Sequence, residues 1–264
     1  MTFIISVATR NIALQVADTR VTRACDGSLV CDRSVKMTVA HCWDAKLIMS
    51  FTGLASIRGM QVGNWIEDKL TKFNAWNRAF VEVLDHIREE ATLAAQQDHN
   101  LGKYGLEIVV IGLGVSPKGT RQPAIAIVTN CSEPQQNQNR FKYMDPSGRA
   151  FERYILDPPK VRHYVAVDGA VRVSAADKLS INGLRRKLQR ELQNLPDGCD
   201  PRSVLDRLVA MLRLHRRQHR ALSRVIGEYC VAAAIKSDFS VVRGSYGPKN
   251  LVALLPNLIR DRST

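Results

Sequence analysis

The chain lacks long hydrophobic runs. No stretch of its 264 residues approaches the roughly 18 apolar residues that a membrane span needs. The opening apolar run breaks at Thr9-Arg10 and has no charged segment ahead of it, unlike a secretory signal. A cytoplasmic protein with no membrane partner is expected. Paired cysteines are also lacking: Cys25, Cys31, Cys42, Cys131, Cys199 and Cys230 are scattered, with no C-x-x-C pair and no His at a zinc-like spacing. Reduced structural thiols are the expectation. His215 and His219 stand four apart, but no Glu follows the first, and Arg216, Arg217 and Arg220 would repel a cation. Gly112 and Gly114 lack the third glycine and following helix of a dinucleotide fingerprint. Neither metal nor cofactor is called for. No internal repeat or low-complexity linker divides the chain, and at 45% hydrophobic and 24% charged it can bury a full core as one domain over residues 1–264.

Positive charge is abundant. The net charge is +13, and residues 172–224 hold 13 Lys or Arg against 5 Asp or Glu, concentrated in Arg185-Arg186-Lys187 and Arg213–Arg220. Such a face can meet a phosphate backbone, an acidic partner or an acidic neighbouring subunit. That stretch contains no aromatic residue on which a base could stack, so nucleic acid is the weaker reading.

Periodicity divides the chain into elements. Phe3 to Val7 and Ile12 to Ala17 read as two strands joined at Thr9-Arg10-Asn11, a pairing that carries Asp18 back towards Thr2. Further strands precede Thr52-Gly53, and apolar residues then recur at helical spacing over Ala55–Phe73 and Asn77–Gln97. A turn over His99–Gly105 leads to strands at Leu106–Val115 and Pro123–Thr129, followed by a polar loop from Cys131 to Arg140. Asp145-Pro146-Ser147-Gly148 is a turn by composition, which predicts a hairpin of Arg140–Met144 with Ala150–Ile155. A strand at His163–Val167, a helix over Val173–Leu195, and a second helix opening at Asp200-Pro201 come next. Strands at Tyr229–Ile235, Phe239–Arg243 and Asn250–Leu255 close the chain. This order predicts an α+β fold in which two sheets pack face to face with a helix pair on each outer side, a four-layer αββα sandwich.

A threonine hydroxyl is a poor nucleophile unless a base takes its proton. A chain that begins with Thr carries that base in its own α-amine, which is partly neutral near pH 7–8. Thr2 would supply both groups once Met1 is removed. The words T-F-I-I-S-V from Thr2, A-D-T-R-V-T at 17–22, V-K-M at 35–37 and F-T-G-L-A at 51–55 resemble the catalytic half of a proteasome β-type subunit, a member of the N-terminal nucleophile hydrolases. The resemblance covers about the first 60 residues.

It implies the αββα sandwich and a threonine-type peptidase or amidase acting on a peptide or protein substrate. It also implies a closed homo-oligomer, with an ATP-dependent unfoldase as a partner to consider. By the same match Thr2 is the nucleophile and Lys36 the buried cation beside its hydroxyl. Asp18 orients the ammonium group, and the Gly53 N–H meets the oxyanion. Thr22 falls on the substrate-pairing strand, and Phe51 and Ala55 border the pocket for the side chain before the cleaved bond. The family's supporting words are not intact: Ala166-Val167-Asp168-Gly169-Ala170 and Ala221–Gly227 stand in their places, with Asp168 and Ser223 the nearest polar substitutes. A catalytically silent relative kept for assembly or binding is the alternative reading.

Overall fold

The computed structural model describes residues 3–22, 29–32, 34–134, 141–143, 149–155, 164–168, 183–184, 186–191, 199–218, 227–247 and 257–259. In chain order the strands are β1 (Ile4–Ala8), β2 (Ile12–Asp18), β3 (Val21–Thr22), β4 (Leu29–Cys31), β5 (Met37–His41), β6 (Ala45–Gly53), β7 (Ser56–Ile57) and β8 (Met60–Gln61). Helices α1 (Val62–Lys72), α2 (Phe80–Gln97) and α3 (His99–Tyr104) follow. Then come β9 (Leu106–Val115), β10 (Arg121–Thr129), β11 (Ser132–Pro134), β12 (Phe141–Tyr143), β13 (Glu152–Ile155) and β14 (Tyr164–Asp168). Residues 183–184 and 186–191 are helical; α4 (Pro201–Gln218), β15 (Cys230–Lys236), β16 (Val241–Tyr246) and β17 (Asn257–Ile259) complete the described chain.

Two sheets dominate this α+β fold. One has the order β14-β1-β2-β15-β16 and the other β13-β10-β9-β6-β5-β17. All pairings within them are antiparallel except the parallel edge pair β17 and β5. The β1–β2 turn is held by Thr9, whose Oγ1 accepts from the N–H groups of Asn11 and Ile12 at 3.1 Å each.

Strand alternation sorts the apolar side chains. Along β6, Leu47, Met49 and Phe51 join a cluster with Ile66, Leu70, Leu84 and Ile87 of α1 and α2. Ile48 points the other way and joins Ile4, Ala13, Val109, Val231 and Ile235, a cluster drawn from both sheets. A third cluster packs Phe3, Ile5, Leu14 and Ala232 against Leu184, Leu188, Leu205 and Leu212. The inter-sheet cluster is crossed by a polar link in which Gln15 Nε2 donates to Ser6 Oγ at 2.9 Å and Ser50 Oγ donates to Gln15 Oε1 at 2.7 Å. All three residues are fully buried, so these bonds satisfy groups that would otherwise be costly there.

The helices begin where capping chemistry allows. At α2, Glu82 Oε2 accepts from the Ala79 N–H at 2.8 Å and Asp44 Oδ1 from the Phe80 N–H at 2.8 Å. The first helix begins at Val62 rather than at Ala55, because the chain first makes the tight β7–β8 pair around Arg58 and Gly59, both at positive φ. The stretch His99–Tyr104 is a short helix rather than a turn. The predicted hairpin of Arg140–Met144 with Ala150–Ile155 does not form: β12 pairs with β11, inside the segment read as a polar loop, and β13 pairs with β10. The β13 edge is anchored instead by Phe151, which is buried under α2 and donates its N–H to Thr92 Oγ1 at 3.2 Å. The predicted strand Asn250–Leu255, the turn Asp145–Gly148 and most of the helix Val173–Leu195 lie outside the described residues.

Candidate active site

The β1–β2 hairpin brings the end of one strand onto the start of the other. Ile4 pairs with Ala17, and beyond them Phe3 and Asp18 exchange bonds: the Asp18 N–H donates to the Phe3 carbonyl at 3.1 Å, and the Phe3 N–H donates to Asp18 Oδ1 at 2.7 Å. Asp18 Oδ2 accepts from the N–H groups of Arg20 at 3.1 Å and Gly227 at 3.0 Å. The carboxylate is fully buried and takes three backbone donors, which is how a charge survives out of water.

Its counter-ion is Lys36. Lys36 Nζ lies 3.7 Å from Asp18 Oδ1, also donates to the Arg20 carbonyl, and is 1% exposed. Burial pushes the Lys36 ammonium below the ordinary lysine range, while the charge of Asp18 and its hydrogen bond pull it back up. Arg20 does not compete for Asp18, since its guanidinium turns to Asp32 at 2.7 Å. A solvated lysine beside a surface Asp18–Arg20 pair is thereby excluded. Ser34, two residues ahead of Lys36, is buried; its N–H donates to the Thr19 carbonyl at 3.0 Å, and its hydroxyl has no hydrogen-bond partner among the described residues. Cys230 is the β15 partner of Asp18, and its thiol is pushed up to about 12, first by burial and second by Asp18. It is an inert packing thiol.

Gly53 ends β6 opposite Leu106 at φ +100, and a Cβ there would stand 2.5 Å from the Gly105 carbonyl oxygen. Only glycine fits this turn. Helix α1 closes on the Lys36 segment in the same manner, because a Cβ on Gly63 would stand 2.6 Å from the Val35 carbonyl oxygen. Phe51 is buried in the cluster facing α1 and α2, Ala55 is half-buried and accepts from the Val62 N–H at 3.0 Å, and Thr22 is half-buried on β3. Asp168 is the last residue of β14, its Cα paired with that of Ile4. Thr2 and Ser223 lie outside the described residues.

The structure therefore joins Asp18 and Lys36 directly and ends β14, with Asp168, beside the start of β1. It also adds a residue that sequence reading missed: the Gly227 N–H on Asp18. The only sequence signal for it was a glycine at the end of the degenerate 221–227 word.

With this geometry in hand, two solved structures are informative. An "Anbu (Gly-1) mutant" from Hyphomicrobium sp. strain MC1 superposes with a TM-score of 0.53 at 8% identity, covering 94% of this chain and 88% of that one. "Anbu (ancestral beta-subunit)" from Yersinia bercovieri gives 0.50 at 10% identity, covering 91% and 86%. The fold is that of the Anbu proteins. This corrects the resemblance to a proteasome β-type subunit: the Anbu proteins are proteasome-like but form a distinct group, and the short N-terminal words did not separate the two. No family model and no curated protein matches the chain. Among the described residues, no helix is long and apolar enough to cross a membrane.

Proposed function

We propose that this chain is a threonine-type hydrolase on an Anbu-like scaffold. It is a single domain whose three apolar clusters separate four layers, αββα, and it uses the Thr2 amine and hydroxyl after removal of Met1. The observation that carries the reading is the buried Lys36–Asp18 pair, tied by a 2.7 Å bond to the N–H of Phe3, the residue joined to Thr2. A fully buried ion pair gives little net stability for its desolvation cost, so its bond to the residue that follows the candidate nucleophile in the chain points to a chemical role. In this reading the Thr2 α-amine takes the hydroxyl proton, and the Lys36 ammonium lowers the cost of the developing alkoxide. Asp18 fixes Lys36, and the Gly53 N–H receives the oxyanion. Thr22 lies on the strand that pairs with the peptide substrate, Phe51 and Ala55 border the pocket for the side chain before the cleaved bond, and Asp168 and Ser223 are supporting groups. The protein works as a homo-oligomer in the cytoplasm.

The altered words at 166–170 and 221–227 favour a second reading, a silent scaffold of the same fold. Two measurements decide between them. Intact mass reports whether Met1 is removed, and incubation with an epoxyketone followed by peptide mapping reports whether the adduct sits on Thr2. Retained Met1 or an unmodified Thr2 would sink the hydrolase reading.

A further inference from the structure

Three polar side chains stand in a row at one end of the inter-sheet face, beyond the Ser6–Gln15–Ser50 link. Alternation puts Thr52 on the inter-sheet side of β6 after Ile48 and Ser50, Glu107 on that side of β9 before Val109 and Ile111, and Thr129 on that side of β10 after Ile125. The register pairs Glu107 with Thr52 on one flank and with Thr129 on the other. Thr52 and Thr129 are at most 1% exposed and Glu107 is 6% exposed. Glu107 has no ion-pair partner among the described residues. Burial raises its carboxyl above the ordinary carboxylate range, opposed only by a hydrogen bond with Ser132. A carboxyl in this setting keeps its proton to higher pH than an exposed one, and while protonated it can donate as well as accept.

The row adjoins the Gly53 turn. Gly53 pairs with Leu106, the residue before Glu107, and the Leu54 N–H donates to the Gly105 carbonyl at 3.0 Å. Asn130 clamps the same strand end, its Oδ1 accepting from the Leu106 N–H at 2.9 Å and its Nδ2 donating to the Leu101 carbonyl at 3.4 Å. The start of β9 and the end of β6 are thus one hydrogen-bonded unit, with Thr52 supplying the carbonyl half of the peptide whose N–H belongs to Gly53.

We propose that Glu107, buried between Thr52 and Thr129 in the register of three strands, is a positioning residue that fixes Thr52 and through it the direction of the Gly53 N–H. The proposal rests on the reading of Gly53 as the oxyanion donor. Among the described residues, other titratable groups around Glu107 are few. Cys131 has a thiol pushed up to about 11, by burial first and Glu107 second, and Arg149 acts on that thiol in the opposite sense. Across the sheet interface β1 presents Ile4 and Ser6, which do not titrate.

The test uses ¹⁵N-glycine-labelled full-length protein and the variants Glu107→Gln and Glu107→Leu. The Gly53 amide resonance of the wild type should move with pH as Glu107 titrates above the ordinary carboxylate range. In Glu107→Gln it should stay near its low-pH wild-type position, and in Glu107→Leu it should be displaced at every pH. In parallel, epoxyketone inactivation should be about a hundredfold slower in Glu107→Leu through its maximal rate rather than its half-saturating concentration, with Glu107→Gln restoring most of that loss. A Gly53 amide that is pH-independent and unchanged in both variants overturns the proposal. If instead the wild type is not inactivated at all while the Gly53 amide still follows Glu107, the hydrolase reading fails and the coupling stands.

Discussion

At the scale of single residues, the proposed chemistry rests on Lys36 and Asp18. Lys36→Ala should lower Thr2 reactivity by several orders of magnitude while peptide binding changes little, because the ammonium acts on a charge that exists only in the transition state. The same change leaves Asp18 buried without its counter-ion, at a cost of about 3–5 kcal/mol, though its three N–H donors soften that loss. Lys36→Arg separates the two effects: it keeps the charge, yet its planar fork cannot occupy the space of a compact ammonium whose neighbours are Asp18 and the Arg20 carbonyl. Near wild-type turnover in a folded Lys36→Arg or Lys36→Ala variant, measured beside its unfolding free energy, would remove the chemical role assigned to Lys36. Glu107 offers a second residue-level test through stability. Its folded carboxyl titrates above its ordinary value of 4.5, so the stability it contributes is complete below that value and is lost as pH rises towards the folded value. Thermal melts of wild type and Glu107→Gln should therefore diverge with rising pH in favour of the variant. Parallel curves from pH 4.5 upward would mean that Glu107 is not held neutral.

Elements show most clearly what the sequence could disclose. The β1–β2 pairing and its return of Asp18 to the chain start were legible because the alternation is clean and the connection short. Leu106–Val115 was read to the residue. The hairpin at 140–155 was misread because a turn motif says where the chain bends, whereas the partner of a strand depends on which sheet edge remains open. At the site, the family resemblance picked out Asp18 and Lys36, which the structure pairs at 3.7 Å. Gly227 and Glu107 were not legible, since one acts through a backbone N–H that any residue owns and the other becomes unusual only when its neighbours across three strands are known. The opening of α4 was legible for a local reason. Asp200 accepts from the N–H groups of Arg202 at 3.3 Å and Ser203 at 3.1 Å and from the Ser203 hydroxyl at 3.0 Å, ahead of Pro201. Asp200→Ala should lower the melting temperature by about 2–4 °C for a chain of this size, the loss expected of a helix cap. An unchanged melt would mean that packing of Leu205, Leu208 and Leu212 alone holds the helix start.

The two outer helix surfaces differ in charge, and this matters for the whole molecule. Helix α2 carries Glu82, Asp85, Glu89 and Glu90 against Arg88, whereas α4 carries Arg202, Arg207, Arg213, Arg216 and Arg217 against Asp206. Both surfaces also expose large apolar side chains: Val81 and Leu93 on α2, and Leu214 on α4, which is 45% exposed. Apolar residues on opposite-signed faces suit a contact between copies in which the basic face of one meets the acidic face of the next, a head-to-tail arrangement that closes if the rotation permits. Light scattering should then give a mass above the 29.5 kDa of one chain. Leu93→Asp and Leu214→Asp should each reduce it, and Leu93→Lys, which weakens the charge match as well, should do so more completely. Moderate salt should loosen the assembly, because the charge contribution is screened within about 8–10 Å at physiological ionic strength. A strictly monomeric wild type at micromolar concentration, or an oligomer indifferent to all three substitutions, would require a different surface to be the contact. The arginine face of a chain whose net charge is +13 would then be left for a polyanion, with affinity falling steeply in salt and no preference among sequences.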